Sequence, residues 1–353
     1  MTDAFLELRE RVSEAFTRNQ QLVIQGNNTR HFYGRDTRGE IIRTTDCTGI
    51  VDYEPTELVL TARAGTTVTE VERTLAEQGQ CLAFDPPRFG PGSTLGGMVA
   101  SGLSGPARPY SGSCRDYILG MKCLNGEGRI LTFGGQVMKN VAGYDVSRLM
   151  TGALGTLGIL LEISIKVMPG PERTITVSRT AGFDEAIREM NQLATRPLPI
   201  TASSSDGNRL FVRLAGKQAA VDNAIRQLED YELIEVDDYW TNLRDHRHEF
   251  FLDQETSLWR LSLPSMTPAL ELGGDWYIEW GGALRWLKTA ETAEKIRAIT
   301  AGHGGHATLF RRHSDVDEIF HPLSPPVLAL HQRLKNAFDP GHILNIGRMY
   351  REL

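Results

Sequence analysis

Hydrophobic positions in the first half of the chain follow strand spacing, in short apolar runs separated by turn residues. The run at Leu22–Gln25 leads directly into a glycine- and asparagine-containing loop, and runs at 118–124 and 129–133 flank the hairpin-type sequence Asn125-Gly126-Glu127-Gly128. Further strands are predicted at 50–53, 57–64 and 157–167. One segment, 69–78, has helical spacing instead, with its initial threonine, Thr69, as the cap and Gly79 at its end.

The pattern changes after Pro169-Gly170-Pro171, which we interpret as a domain boundary. Beyond it the order strand–helix–strand occurs twice, as in ferredoxin-like folds, at 174–178, 183–194, 200–204, 209–214, 219–231 and 233–237. Two strands, a helix and a further strand follow at 257–263, 276–280, 289–301 and 306–310. The last thirty residues do not fit this pattern. The sequence therefore predicts an α+β protein with a first domain at 1–171, a ferredoxin-like cap domain at 172–320, and a segment 321–353 that returns to the first domain.

Composition narrows the class of protein. The chain has 353 residues, of which 41% are hydrophobic and 23% charged, as in a soluble protein of two domains. A net charge of −6 argues against nucleic-acid binding, which needs a clustered basic face. The first twenty residues lack the apolar core of a secretory signal, and no apolar stretch reaches the ~18 residues of a membrane helix. We expect a cytoplasmic protein, with any attachment to the inner membrane made through partner subunits.

Two glycine-rich loops carry the first chemical signal. Gly26-Asn27-Asn28-Thr29 follows an apolar strand, and a longer loop runs from Gly90 through Gly102, in a segment (89–112) with too many glycines for ordinary helix or sheet. Successive backbone N–H groups of this kind can hold an anion, so the two loops together could bind a diphosphate without any Lys or Arg. The alternative is that both are merely tight turns. There is no GxxxxGK[ST] motif, and Gly90-Pro91-Gly92-Ser93-Thr94-Leu95 breaks the dinucleotide pattern GxGxxG at its last position.

Five motifs in order resemble the vanillyl-alcohol-oxidase family, also called the PCMH-type FAD-binding family. They are the first loop, STLGGMVASGLSGP, KNVAGYD, GTLGI and the closing LKNAFDPGHILNIGRMY, and they cover about residues 20–170 and 330–350. The resemblance implies a two-part PCMH-type domain that binds FAD. The residues it assigns to the cofactor are Gly26, Asn27, Asn28, Thr29, Gly92, Ser93, Thr94, Gly96, Gly97, Ala100, Gly102, Asn140, Gly143, Tyr144, Gly155, Thr156 and Ile159.

The closing motif is similar to that of the 2-hydroxy-acid branch, although Ile346 stands where the branch usually has proline. Within that branch the chain most resembles the small FAD-binding subunits of bacterial glycolate oxidases. Such a subunit works beside a catalytic flavoprotein subunit and an iron–sulfur subunit of the same complex, which oxidises glycolate to glyoxylate. The alternatives are a stand-alone FAD-dependent 2-hydroxy-acid dehydrogenase and a non-catalytic flavin-binding structural subunit. Covalent attachment in this family uses a histidine inside the first loop, where this chain has Asn28, so non-covalent FAD is expected.

The sequence signals for substrate-binding residues are less specific than those for the cofactor. A 2-hydroxy acid needs a cation for its carboxylate and a base for its hydroxyl, and the candidates are Arg260, in the middle of a predicted strand, with Trp280 and Arg285. The alternative is that all three are surface or rim side chains. Family members that depend on a metal carry a histidine-rich motif with a partner acid. Here Gly302-His303-Gly304-Gly305-His306 has no Glu or Asp beside it, so we expect no metal, the site being degenerate or absent.

Overall fold

The computed structural model describes residues 3–135, 145–235, 238–253, 255–313 and 318–353. The helices are α1 (Asp3–Arg18), α2 (Val68–Ala76), α3 (Leu95–Ser101), α4 (Arg108–Ser111), α5 (Cys114–Tyr117), α6 (Val146–Met150), α7 (Phe183–Ala194), α8 (Gln218–Gln227), α9 (Tyr239–Arg244), α10 (Ala293–Gly302) and α11 (Pro325–Phe338). The strands are β1 (Leu22–Gln25), β2 (Glu40–Arg43), β3 (Ile50–Glu54), β4 (Val59–Arg63), β5 (Gln80–Cys81), β6 (Ile118–Leu124), β7 (Ile130–Gly134), β8 (Ile159–Lys166), β9 (Met168–Pro169), β10 (Arg173–Thr180), β11 (Ile200–Ser205), β12 (Arg209–Gly216), β13 (Glu232–Ile234), β14 (Leu258–Ser262), β15 (Asp275–Glu279), β16 (Leu284–Lys288) and β17 (His306–Arg311).

The chain divides into two compact units. The first combines Met1–Leu103, Ser113–Pro169 and Pro322–Leu353, and the second combines Ser104–Gly112 with Gly170–His321. Ser104–Gly112 lies within the predicted first domain, 1–171, but belongs to the second unit. In the structure the Tyr110 hydroxyl lies 3.1 Å from the Ser203 Oγ of β11, which groups this segment with the second unit. None of the helices in the described ranges is both long and apolar enough to cross a bilayer.

The first unit has a five-stranded antiparallel sheet in the order β3-β4-β8-β6-β7 and a parallel pair, β1 and β2. Because β8 is central, its apolar residues are fully buried, and α2 and α3 contribute to the same core. The Thr67 side chain caps α2 by accepting from the Glu70 N–H at 3.1 Å, so this helix starts at Val68, one residue earlier than predicted. Helix α1 buries Phe5, Leu8 and Val12, spaced by one helical turn, in a second cluster.

The second unit confirms the predicted ferredoxin-like pattern. Strands β13-β10-β12-β11 lie side by side, which is the fourth–first–third–second order of a β-α-β-β-α-β unit. In the described part of the chain β15-β16-β14-β17 continue this sheet from the edge of β11 to a total of eight strands. Strand β12 alternates Leu210, Val212 and Leu214 into the core that α7 and α8 cover.

The glycine content of segment 89–112 predicts neither helix nor sheet. This prediction is wrong, because α3 and α4 lie within the segment. The Thr94 Oγ1 caps α3 by accepting from the Gly97 N–H at 3.2 Å. A Cβ added to Gly96 would lie 2.8 Å from the Ala64 Cβ, so this glycine allows α3 to pack closely against β4 and the loop after it. The glycines here serve close packing of a short helix as well as turns.

Candidate functional site

The two glycine-rich loops meet in the first unit. The Asn27 Nδ2 donates to the Gly92 carbonyl at 2.8 Å, and a Cβ added to Gly26 would lie 2.6 Å from the Thr94 Oγ1. Asn28, the third residue of the first loop, has a left-handed φ of 62°, which asparagine tolerates better than most residues. The first loop therefore turns sharply against the second, and no side chain fits at position 26 without displacing Thr94.

A cavity of about 140 Å³ opens between the loops. Of the residues assigned to the cofactor, those in its wall are Gly26, Asn27, Asn28, Thr29, Thr94, Gly97 and Ala100. The wall is completed by Val23, Ile24, Gln25, Arg30, His31, Thr37, Ser101, Leu154, Asn345 and Arg348. The two loops together with the side chains of Arg30 and Arg348 form a donor set suited to a diphosphate.

The other assigned residues within the described ranges lie behind this wall. Ser93 is fully buried and bonded to Arg30, and Gly92 and Gly96 contact Asn27 and Ala64. Gly102 packs on Gly152, Gly155 packs on Asn345, the Thr156 hydroxyl donates to the Ala153 carbonyl, and Ile159 is fully buried in β8. Asn140, Gly143 and Tyr144 lie outside the described residues.

Arg30 is a cavity residue that the sequence analysis missed when it expected a diphosphate site without Lys or Arg. Its side chain is 9% exposed, and Nη1 donates to the Ser93 Oγ at 2.7 Å while Nη2 donates to the Pro87 carbonyl. The guanidinium therefore ties the first loop to the second and places a positive charge in the wall between them. The available signal was a basic residue immediately after Gly26-Asn27-Asn28-Thr29.

The C-terminal segment supplies two wall residues, Asn345 and Arg348. The Arg348 guanidinium donates to the backbone carbonyls of Tyr33 and Arg35, each at 2.7 Å, and so holds the chain that continues from the first loop. A more distant anchor is Lys335, whose Nζ donates at 2.7 Å to the Asp339 carboxylate and to the carbonyls of Thr156 and Leu344.

Lys335 and Asp339 form a buried ion pair, with side chains 1% and 0% exposed. Asp339 also accepts from the backbone N–H groups of Ile343 and Leu344, at 3.1 and 2.8 Å. Burial lowers the pKa of Lys335, and the neighbouring Asp339 carboxylate opposes that shift. The pair fixes the end of α11 to the loop that contains Gly155 and Thr156.

In the second unit the structure brings together two of the three substrate-side candidates. The guanidinium carbon of Arg260 lies 5.1 Å from the centre of the Trp280 ring, and that of Arg108 lies 4.6 Å from it. The Trp280 Nε1 donates to the Gly105 carbonyl at 2.9 Å. Trp280 has a φ of 55°, which is rare and costly for a bulky residue, so the surrounding contacts hold it in place.

Arg285 lies apart from that pair. Arg260 is paired with Trp286 across the sheet and Arg285 with Leu261, so Arg260 and Arg285 point to opposite faces. Arg285 is 1% exposed and donates to the carbonyls of Gly282, Pro268 and Thr267. Burial lowers its pKa to about 10, and the Asp184 carboxylate opposes that shift. These partners give Arg285 a structural role in the fold of the second unit.

Comparison with known proteins identifies the family. Residues 6–134 match the FAD binding domain family. The chain is 46% identical over 346 residues to the glycolate oxidase subunit GlcE of Escherichia coli, covering 98% of this chain and 97% of that protein. The chain belongs to the GlcE family of glycolate oxidase subunits. This GlcE-family chain is also 30% identical over 165 residues to the glycolate oxidase subunit GlcD of Bacillus subtilis, across 46% of this chain and 35% of that protein.

A solved structure supports the fold of the GlcE-family chain. An alkyldihydroxyacetonephosphate synthase superimposes with a TM-score of 0.66 at 17% identity, over 96% of this chain and 75% of that one. The likeness concerns the fold alone. The FAD binding domain makes FAD the cofactor of this chain, and the cavity fits it, because Thr94, Arg30 and Arg348 in its wall are hydrogen-bond donors suited to a diphosphate.

The histidines of the second unit are spread out. The ring centres of His306 and His321 lie 6.3 Å apart, the His303 Nδ1 contacts the Ile299 carbonyl at 2.9 Å, and the His313 backbone N–H donates to the Ser257 hydroxyl. Across the described ranges, no group of three or more His, Cys, Asp or Glu side chains converges as metal ligands.

Replacing Arg285 with lysine should lower the free energy of unfolding by about 2 to 3 kcal/mol, because one ammonium cannot reach the three carbonyls that the guanidinium fork satisfies. Urea denaturation followed by tryptophan fluorescence measures this loss. Arg312→Lys, at an exposed position in the same unit, is the control and should change little. If Arg285→Lys were as stable as the wild type, the structural role would be wrong.

Proposed function

We propose that this chain holds FAD non-covalently in the cavity between its two loops and serves as the FAD-binding subunit of a glycolate oxidase. The observation that carries the proposal is the convergence of the loop Gly26-Asn27-Asn28-Thr29, the start of α3 and Arg30 on one cavity in a chain of the GlcE family. Bound flavin supplies hydride and electron transfer, so the protein has to bind, orient and enclose it.

The diphosphate is the part of FAD that this wall suits. The first loop and Thr94 line the cavity, and Arg30 and Arg348 contribute positive charge to the same wall. Leu154 also lines it, so the adjoining Gly155-Thr156 backbone is proposed to lie along the cofactor. Ile159 acts from the core, by supporting that loop.

Non-covalent binding is supported by the first loop itself. Asn28 occupies the position at which the family attaches flavin through histidine, and an amide side chain is not a nucleophile. His31 lies further along the wall, with its Nε2 3.9 Å from the Asp36 carboxylate. We therefore expect acid to release the flavin intact.

The proposed reaction removes two electrons and two protons from glycolate and yields glyoxylate. Electrons pass to a catalytic flavoprotein subunit and an iron–sulfur subunit of the same complex. Arg260 and Trp280 are the proposed substrate-side residues of this chain, since a guanidinium is the side chain best matched to a carboxylate.

A second candidate is a flavin-bound subunit without turnover of its own. This candidate is favoured by the hydrogen bonds of two substrate-side candidates, which are made to the protein backbone. Arg285 donates to three backbone carbonyls, and the Trp280 Nε1 donates to the Gly105 carbonyl. In this role the chain would relay electrons or stabilise the catalytic subunit.

The visible spectrum of the purified chain tests both candidates. Flavin bands that pass into the supernatant after acid precipitation would support non-covalent FAD, and bleaching by glycolate without oxygen would assign turnover to this chain. Released flavin that glycolate leaves oxidised would favour the second candidate. A colourless protein that takes up no added FAD would overturn the proposal.

A further inference from the structure

Asn345 joins the C-terminal segment to the first strand of the cavity wall. The Leu22 N–H donates to the Ile343 carbonyl at 2.7 Å, and the Asn345 N–H donates to the Leu22 carbonyl at 3.0 Å, so Leu344 pairs with Leu22 of β1 in a single parallel bridge. The next bond is made by a side chain, because the Asn345 Oδ1 accepts from the Ile24 N–H at 2.8 Å. The carboxamide thus continues the ladder where the backbone leaves it, at a φ of 44°.

The other end of the same carboxamide reaches a second segment that lines the cavity. The Asn345 Nδ2 donates to the Leu154 carbonyl at 2.7 Å, and a Cβ on Gly155 would lie 2.7 Å from that nitrogen. Ile24, Leu154 and Asn345 all line the cavity, and Asn345 is 4% exposed. One buried amide therefore spans two chain segments that are 130 residues apart in sequence and face the same cavity.

We propose that Asn345 is a positioning residue for FAD. Its carboxamide holds the Ile24 and Leu154 segments of the cavity wall together before the cofactor binds. The inference rests on the proposed function. Without the carboxamide, the Ile24 N–H and the Leu154 carbonyl lose their partner and the two segments are free to separate. If these segments have to be ordered when FAD binds, the free-energy cost of ordering them reduces the affinity. Segments that Asn345 already holds in place bind FAD without that cost.

The test is FAD affinity of the full chain, stripped of flavin and titrated with FAD by fluorescence, beside the melting temperature of the flavin-free protein. Asn345→Ala should raise the FAD Kd about tenfold, the size of effect expected for a lost buried hydrogen-bond pair. The matched control is Asn125→Ala in the β6–β7 turn. Asn125 is also 4% exposed, and its Oδ1 accepts from two backbone N–H groups in the same unit, at a place outside the cavity wall.

The two readouts separate positioning from stability. We expect both variants to melt at a lower temperature and only Asn345→Ala to bind FAD more weakly. An unchanged Kd in Asn345→Ala, or an equal rise in Asn125→Ala, would overturn the inference and leave the proposed function intact. A wild type that takes up no FAD would overturn both. If Asn345→Ala does not fold, Asn345→Asp replaces it. This variant keeps the acceptor for the Ile24 N–H and loses the donor to the Leu154 carbonyl. A wild-type FAD Kd in Asn345→Asp would also contradict the inference.

Discussion

Replacing Arg30 with methionine should weaken FAD binding about 100-fold, because the variant loses a buried, charge-assisted contact in the wall of the proposed diphosphate site. Methionine has a similar length and keeps the apolar packing of the side chain, but it cannot donate to the Ser93 Oγ or the Pro87 carbonyl. The first loop then loses its link to the second, and the cavity wall loses a positive charge. The measurement is the FAD Kd of the flavin-free chain at low and at physiological salt.

Arg38→Met is the control for charge, since Arg38 is exposed and only eight positions away. Its Kd should stay within about twofold of wild type, because an exposed charge in water is well screened. Arg30→Lys should recover part of the affinity, having the charge without the two-pronged geometry. Equal FAD binding by Arg30→Met and wild type would show that the backbone amides and hydroxyls suffice, as the sequence analysis expected.

Lys335→Met should lower the free energy of unfolding of the flavin-free protein by about 3 to 5 kcal/mol, the range found when one partner of a buried ion pair is removed. The variant leaves the Asp339 carboxyl, which is 0% exposed, without its cationic partner, and it removes the donor from the carbonyls of Thr156 and Leu344. Because these carbonyls belong to the loop behind the cavity and to the C-terminal segment, both should become less protected in hydrogen exchange. Urea denaturation gives the energy.

The matched comparison is Arg18→Met, which breaks the ion pair with Glu14 at the same four-residue spacing in the same unit. Those side chains are 69% and 66% exposed, so little stability should be lost. A loss in Lys335→Met no larger than in Arg18→Met would mean that Asp339 is satisfied by its backbone N–H donors alone.

The fold was predictable from the sequence wherever local spacing determines structure. The bounds of β1, β6 and α7 agree with the prediction, and the repeated strand–helix–strand order gives the ferredoxin-like half of the eight-stranded sheet. Helix α3 was missed because its glycines looked disruptive, whereas Gly96 is needed for contact with Ala64. Strand β16 is absent from the prediction, and the pairing of β11 with β15 and of β14 with β16 could not be derived, since pairing across long connections leaves no periodic signal.

The candidate site was predictable to the extent that it consists of glycine-rich loops. Gly26-Asn27-Asn28-Thr29 and Thr94 lie in one cavity wall, but Asn345 and Arg348 come from more than 300 positions further along the chain than the first loop. For Arg285, proposed from the sequence as a substrate-side candidate, the structure gives hydrogen bonds to three backbone carbonyls, those of Gly282, Pro268 and Thr267. Such partners depend on tertiary contacts that spacing alone does not reveal.

The first unit is discontinuous in sequence, and this has a consequence for synthesis on the ribosome. The cavity wall needs Asn345 and Arg348, so a nascent chain that ends before residue 348 cannot complete it, however much of β1 to β8 has already emerged. The second unit takes all of its residues from before position 322 and can fold earlier. Cofactor loading is therefore expected only after Asn345 and Arg348 have emerged, and fragments of the first unit that lack them should be produced without flavin.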